Sequence, residues 1–139
     1  MANEYEKYQN IKKAILLTAW HQIEQARDAK TNQSAIIREL KQLFKAFNFS
    51  HPKIHKFLEE IVEIDKWLRY HRDYQGKINR AQFAMSPNGR IEIDNLMKTK
   101  ADKLIEWLKQ VAPKVAKYID ETVIKPTVKA GIGQAVARI

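Results

Sequence analysis

His51, His55 and Glu59 recur at four-residue spacing and would share one face of a helix. Imidazole and carboxylate together could hold a metal ion, but the site needs more ligands, and no second cluster accompanies them in sequence. The spacing is therefore read as helix capping and surface chemistry. A di-iron centre in a helical bundle requires Glu-x-x-His on two helices, and no Glu in this chain has a His three residues later. Glycine-rich phosphate loops, serine-centred elbows and a Walker lysine are absent. The chain has no cysteine, which removes disulfides, thiol catalysis and zinc–thiolate ligation together. Glu59 and Glu63 read as a solvated face towards Lys56 and Lys66. No catalytic residue, metal or cofactor is assigned, and an enzyme is not expected.

The remaining chemistry is cationic. In "KWLRYHRDYQGKINR", residues 66–80, Lys66, Arg69, Arg72, Lys77 and Arg80 stand among Trp67, Tyr70 and Tyr74, with Asp73 the one acid. Arginine makes bidentate contacts to phosphate. Trp67 and Leu68 are assigned to the core, whereas Tyr70 and Tyr74 are placed to stack on bases or to pack on a neighbouring subunit. A second set, Lys100, Lys103, Lys114 and Lys117, falls with Gln110 and Trp107 on one side of a helix projected at about 100° per residue. The third comprises Lys125, Lys129 and Arg138 in a tail with no acid after Glu121. Residues 95–139 carry nine Lys and Arg against four acids, so the excess lies towards the C-terminal end. With a net charge of +9 over 139 residues, a polyanion is the expected partner.

The elements that must position these residues follow from periodicity. Tyr8, Ile11, Ile15, Ala19 and Ile23 predict a first helix from Glu4 to about Ala29. Residues 28–34 form a loop in which Ser34 or Asn32 caps a second helix over about 35–48. Pro52 starts a third, which Ile54, Phe57, Leu58, Ile61, Ile64, Trp67 and Leu68 carry to about Gln75, with Gly76 as its stop. "MSPNGRIEID", 85–94, is the clearest break, a small hairpin or a loop. Asp94 caps a fourth helix running to Ile119, kinked or restarted at Pro113. The expected fold is all-α, four main helices in a small bundle with a long N-terminal helix. The expected division is a single helical domain over 1–125 and a basic C-terminal arm over 126–139. The start is polar and acid-bearing, unlike a signal peptide, and the longest strongly apolar run, residues 14–20, is far short of a membrane span.

A small, basic, cysteine-free chain with a long N-terminal helix and a helical C-terminal region resembles the major coat proteins of filamentous archaeal viruses. That resemblance covers the whole chain as architecture and carries no signature residues, so no functional positions are transferred. It implies paired helical subunits that wrap double-stranded DNA in A-form within a virion, with copies of the chain, and a homologous second subunit, as partners. "SAIIRELKQLF" and "KWLRYHRDYQGKINR" also look similar to helices of the small helical subunit of CRISPR effector complexes, which implies a cytoplasmic protein on guide or displaced strands. A different class is an adaptor or inhibitor that meets an acidic protein. A membrane-surface role for the basic tail is a minor alternative. The leading expectation is a structural protein contacting phosphates without reading bases, and no small-molecule substrate is expected.

Overall fold

The computed structural model describes residues 3–130. Helix α1, Glu4–Gln25, begins at Asn3, whose side chain accepts the Glu6 N–H at 2.8 Å. Residues 14–20 are buried without interruption, which is more than one face of a helix. The middle of helix α1 is therefore enclosed on all sides and forms the axis of the core. A two-residue strand follows, β1, Thr31–Asn32. Asn32 then caps α2, Gln33–Glu39, by accepting the Ala35 N–H. The expected second helix is interrupted at Leu40, where the chain restarts as α3, Lys41–Ala46. Ser50 caps α4, His51–Glu63, and Pro52 occupies its first turn as expected.

The all-α expectation is wrong. The third helix stops at Glu63 rather than near Gln75, and the chain enters a three-stranded antiparallel sheet. Strands β2, Leu68–Arg72, and β3, Ile78–Met85, form a hairpin, and β3 lies centrally between β1 and β2. The stop is built from backbone. The Trp67 N–H reaches back to the Ile61 carbonyl at 3.0 Å, and Lys66 adopts φ +59°. This is the left-handed position at which a helix end usually has glycine. Ile64, which continues the helical spacing, is 72% exposed.

The segment read as a loop or hairpin is instead helix α5, Pro87–Lys98. Ser86 is its cap and Pro87 occupies the first turn, where a missing N–H costs nothing. Asp94 is therefore mid-helix, not a cap. Lys100 and Ala101, both at positive φ, separate α5 from α6, Asp102–Val111. Ala112, pushed to φ −153° by the proline after it, separates α6 from α7, Pro113–Tyr118. The restart expected at Pro113 is present.

Helix α7 continues through a π-helical stretch, Ile119–Ile124, into α8, Lys125–Lys129. Pro126 lacks an N–H, and its ring would press on the carbonyl four residues earlier. Widening the turn relieves that contact, and the Lys125 N–H bonds to Asp120 O. Residues 126–129, at the start of the expected arm, are thus helical, and the Thr127 hydroxyl is buried on Val123 O at 2.6 Å. Among the described residues no helix is long and apolar enough to cross a membrane.

Candidate nucleic-acid interface

The hairpin gathers four of the expected contact residues, Arg69, Arg72, Lys77 and Arg80, on an arm with Lys66 at its foot. Leu68 and Tyr70 of β2 face Met85 and Phe83 of β3 and anchor the base in the core. Beyond them the register shifts. Tyr70 pairs with Phe83 but His71 pairs with Asn79, so Arg80, Ala81 and Gln82 bulge from β3. The Asn79 side chain accepts the Ala81 N–H at 2.8 Å and shapes the bulge. At the tip, the Asp73 carboxylate accepts the Gln75 and Lys77 N–H groups, both at 2.9 Å, and Gly76 supplies φ +80°. Residues 72–81 are all exposed, and Tyr74 at the tip is 95% exposed.

The charges on this arm are mostly uncompensated. Among the described residues Lys66, Arg69, Arg72 and Lys77 form no ion pair. Arg72 donates to Gly76 O at 3.1 Å, which stiffens the turn from within. Arg80 differs. Its guanidinium lies 5.4 Å over the Tyr70 ring and 4.0 Å from Glu63. Among the described residues the buried Tyr70 hydroxyl has no hydrogen-bond partner. Its pKa is raised by burial, with Glu63 and Glu59 adding and Arg80 opposing.

Two expectations about this stretch are therefore corrected. Tyr70 and Tyr74, expected on the third helix, lie on the hairpin instead: Tyr70 packs on Phe83, 5.9 Å between ring centroids, while Tyr74 is exposed at the tip. Glu59 and Glu63 do not pair with Lys56 and Lys66. Glu59 meets His55 at 3.1 Å, and Glu63 meets Arg80. The other His55 ring nitrogen contacts Gln33 at 3.1 Å.

The lysine stripe is broken. Lys100 sits in the α5–α6 turn, Lys103 on α6, and Lys114 and Lys117 on α7 beyond the Ala112 break. All four are exposed, but they do not follow one helix face. Trp107 does not join them. It stacks on Phe47 at 5.9 Å with the rings 5° apart. Lys125 pairs with Asp120 at 3.3 Å, Lys129 is exposed, and Arg138 lies outside the described residues.

The base of the arm is tied to the core by contacts that the sequence reading missed. Ser86 donates its hydroxyl to Lys66 O and accepts the Gly89 N–H at 3.2 Å. Nearby, Tyr8 of α1 donates to Glu60, and Lys12 pairs with Asp65. Burial raises the Tyr8 pKa, and the Glu60 hydrogen bond adds to that. Burial also raises the Glu92 carboxyl, with Lys13 opposing and Asp65 adding. The available signal was Lys12 itself, which falls between Tyr8 and Ile15 on the apolar stripe of α1. Comparison of the chain with protein-family models, curated proteins and solved structures found no match.

Proposed function

We propose that this chain is a nucleic-acid-binding protein that engages the phosphates of duplex DNA without reading sequence, with the β2–β3 hairpin as its principal contact. One observation carries the reading: an exposed two-stranded arm bears Arg69, Arg72 and Lys77, none of them neutralised by a carboxylate among the described residues. A two-stranded ribbon fits the major groove, and the exposed part of this arm, roughly 10 Å long at about 3.3 Å per residue, matches the groove depth of about 8.5 Å. Tyr74 at the tip adds a flat surface for a base or sugar. Lys66 at the base, Arg80 at the bulge and the dispersed lysines of α6 and α7 widen the positive field rather than form a second track.

The finer form of the proposal is a coat protein that packages double-stranded DNA in a helical virion assembly. The all-helical architecture behind that resemblance is replaced by a mixed fold, so this form rests on the positive charge alone. Electron microscopy of the protein with long duplex DNA tests it: regular filaments support a coat, and isolated bound particles remove it.

The binding reading itself is tested by titrating duplex affinity against salt. Neutralising phosphates releases counterions, so log K falls linearly with log salt at about −0.9 per contact. Three to five contacts on the arm and its foot give a slope of about −2.7 to −4.5. A flat plot ends the proposal.

A further inference from the structure

Helices α2 and α3 and the first turn of α4 enclose a groove of about 800 Å³. Its floor is apolar, with Phe44, Phe49 and Ile54, and its rim carries Arg38, Lys41 and Lys45. Among the described residues no carboxylate lines it, and of the rim cations only Arg38 meets one, Glu39 at 3.4 Å. Lys41 and Lys45 are four residues apart on α3, share a face, and form no ion pair among the described residues. The groove lies at the start of α4, whereas the hairpin leaves from its end. Thirteen helical residues place them about 20 Å apart. The exposed carboxylate of Glu63 stands at the hairpin end of that helix. The groove is therefore a separate surface from the hairpin arm.

Its floor does not suit a base. Phe44 is 3% exposed, and Phe49 packs on Phe44 and Phe57 under the Lys53 ammonium, 5.7 Å from its ring. Stacking needs a free aromatic face. What fits an apolar floor with a cationic rim is a short helical turn that carries an apolar anchor between acids.

The chain supplies such a turn. Tyr5, in the first turn of α1, is 72% exposed and stands between Glu4 and Glu6. Glu6 forms no ion pair among the described residues, and Glu4 meets only Lys7 at the surface, 3.0 Å away. Ile64 is equally exposed between acids, but Glu63 is engaged by Arg80 and Asp65 by Lys12. Tyrosine makes a good interface anchor because it brings a large rigid surface with few rotatable bonds.

We propose that the α2–α3–α4 groove receives the Glu4–Tyr5–Glu6 turn of a second copy of this chain. Lys41 and Lys45 face the two carboxylates, and the Tyr5 ring packs edgewise against the half-buried Ile37 and Phe49, which needs no free aromatic face. One turn in one groove is a small contact, so association is weak in dilute protein and grows with concentration.

Sedimentation velocity of the full chain, without nucleic acid, tests this apart from the DNA reading. The expected result is a mean mass that rises with concentration. Y5A, K41E/K45E and E4K/E6K should each weaken self-association by about tenfold or more while circular dichroism shows them folded. An equimolar mixture of K41E/K45E with E4K/E6K should associate again, because each variant's turn then meets a groove of opposite charge. A chain that stays monomeric throughout overturns the proposal, as does a mixture of folded variants that fails to associate. If K41E/K45E self-associates normally but loses duplex affinity, the groove is a nucleic-acid surface and the proposal is likewise overturned.

Discussion

Lys12 of α1 and Asp65, just beyond the end of α4, form an ion pair inside the protein, Nζ to Oδ2 2.8 Å, with side-chain exposures of 5% and 16%. The ammonium also lies 5.1 Å from the Tyr8 ring and 6.0 Å from the Trp67 ring. This pair joins the central helix to the turn from which the hairpin departs, so it sets the base of the proposed binding arm.

Removing one partner of a buried pair costs far more than removing both, because it strands a charge away from water. Asp65→Asn should destabilise the fold by about 3–5 kcal/mol in urea unfolding. Lys12→Met should cost less, since Asp65 retains some contact with solvent. The double variant should recover most of the loss. Additive losses in the double variant would mean that the two groups contribute independently.

Gly89 lies where a Cβ would come 1.9 Å from the Trp67 carbonyl oxygen. The opposing atom is backbone and cannot rotate away. Gly89→Ala should therefore cost about 3 kcal/mol or more and loosen the α5–hairpin junction. Hydrogen exchange is the decisive readout, because protection should fall at Ser86 and Trp67 before it falls in α1. A variant as stable as the parent would show that the junction is plastic.

That junction also explains what was legible in the sequence. The start of helix α1, Pro52 in the first turn of α4 and the restart at Pro113 follow from local rules and are legible in sequence. The cap of α2 is narrowed only to Asn32 or Ser34, of which Asn32 is the cap. The hairpin is not legible in this way, because Ile61, Ile64, Trp67 and Leu68 keep a helical spacing across the point where the helix ends. The stop depends on Lys66 in a left-handed conformation and on the distant Lys12 holding Asp65, neither of which residue type announces. The strands themselves left a trace. "LRYHR" and "INRAQFAM" flank Asp73 and Gly76, and a turn signal between two such runs was available. In "SPNG", Ser86 and Pro87 carry the same cap-and-proline signal as Ser50 and Pro52, while Asn88 and Gly89 imitate a turn. The cationic residues of the arm were identifiable by type, but their shared exposure on a hairpin was not.

His21 provides a pH test. Burial lowers its pKa below the usual 6.5, with Glu39 opposing, and its ring meets the edge of Tyr118 at 6.3 Å. Below about pH 6.5 the unfolded chain takes up a proton that the native site refuses, so stability falls as pH drops through that value towards the native pKa. Above it this contribution is constant. Glu92, raised from 4.5, acts in the opposite sense at lower pH, losing stability as pH rises through its native value. The urea midpoint should therefore drop between pH 7.5 and 5.5, and His21→Gln should remove part of that drop. An unchanged pH dependence in the variant would exclude His21 as its source.

Lys66 separates stability from binding within one residue. Its φ of +59° is costly for a side chain with a Cβ, by about 1–2 kcal/mol, and natural for glycine. Its ammonium is exposed at the foot of the arm and forms no ion pair among the described residues. Lys66→Gly should therefore raise unfolding stability by about 1 kcal/mol after the entropy that glycine adds to the unfolded chain. If Lys66 contacts phosphate, the same variant should reduce the salt slope of duplex binding by about 1 and weaken all sequences equally. Thermal unfolding and a salt titration on one preparation check both. Greater stability with an unchanged slope would place the DNA contacts further out on the hairpin, at Arg69, Arg72 and Lys77. A loss of stability would show that the Lys66 side chain supports the turn in a way its exposure does not suggest.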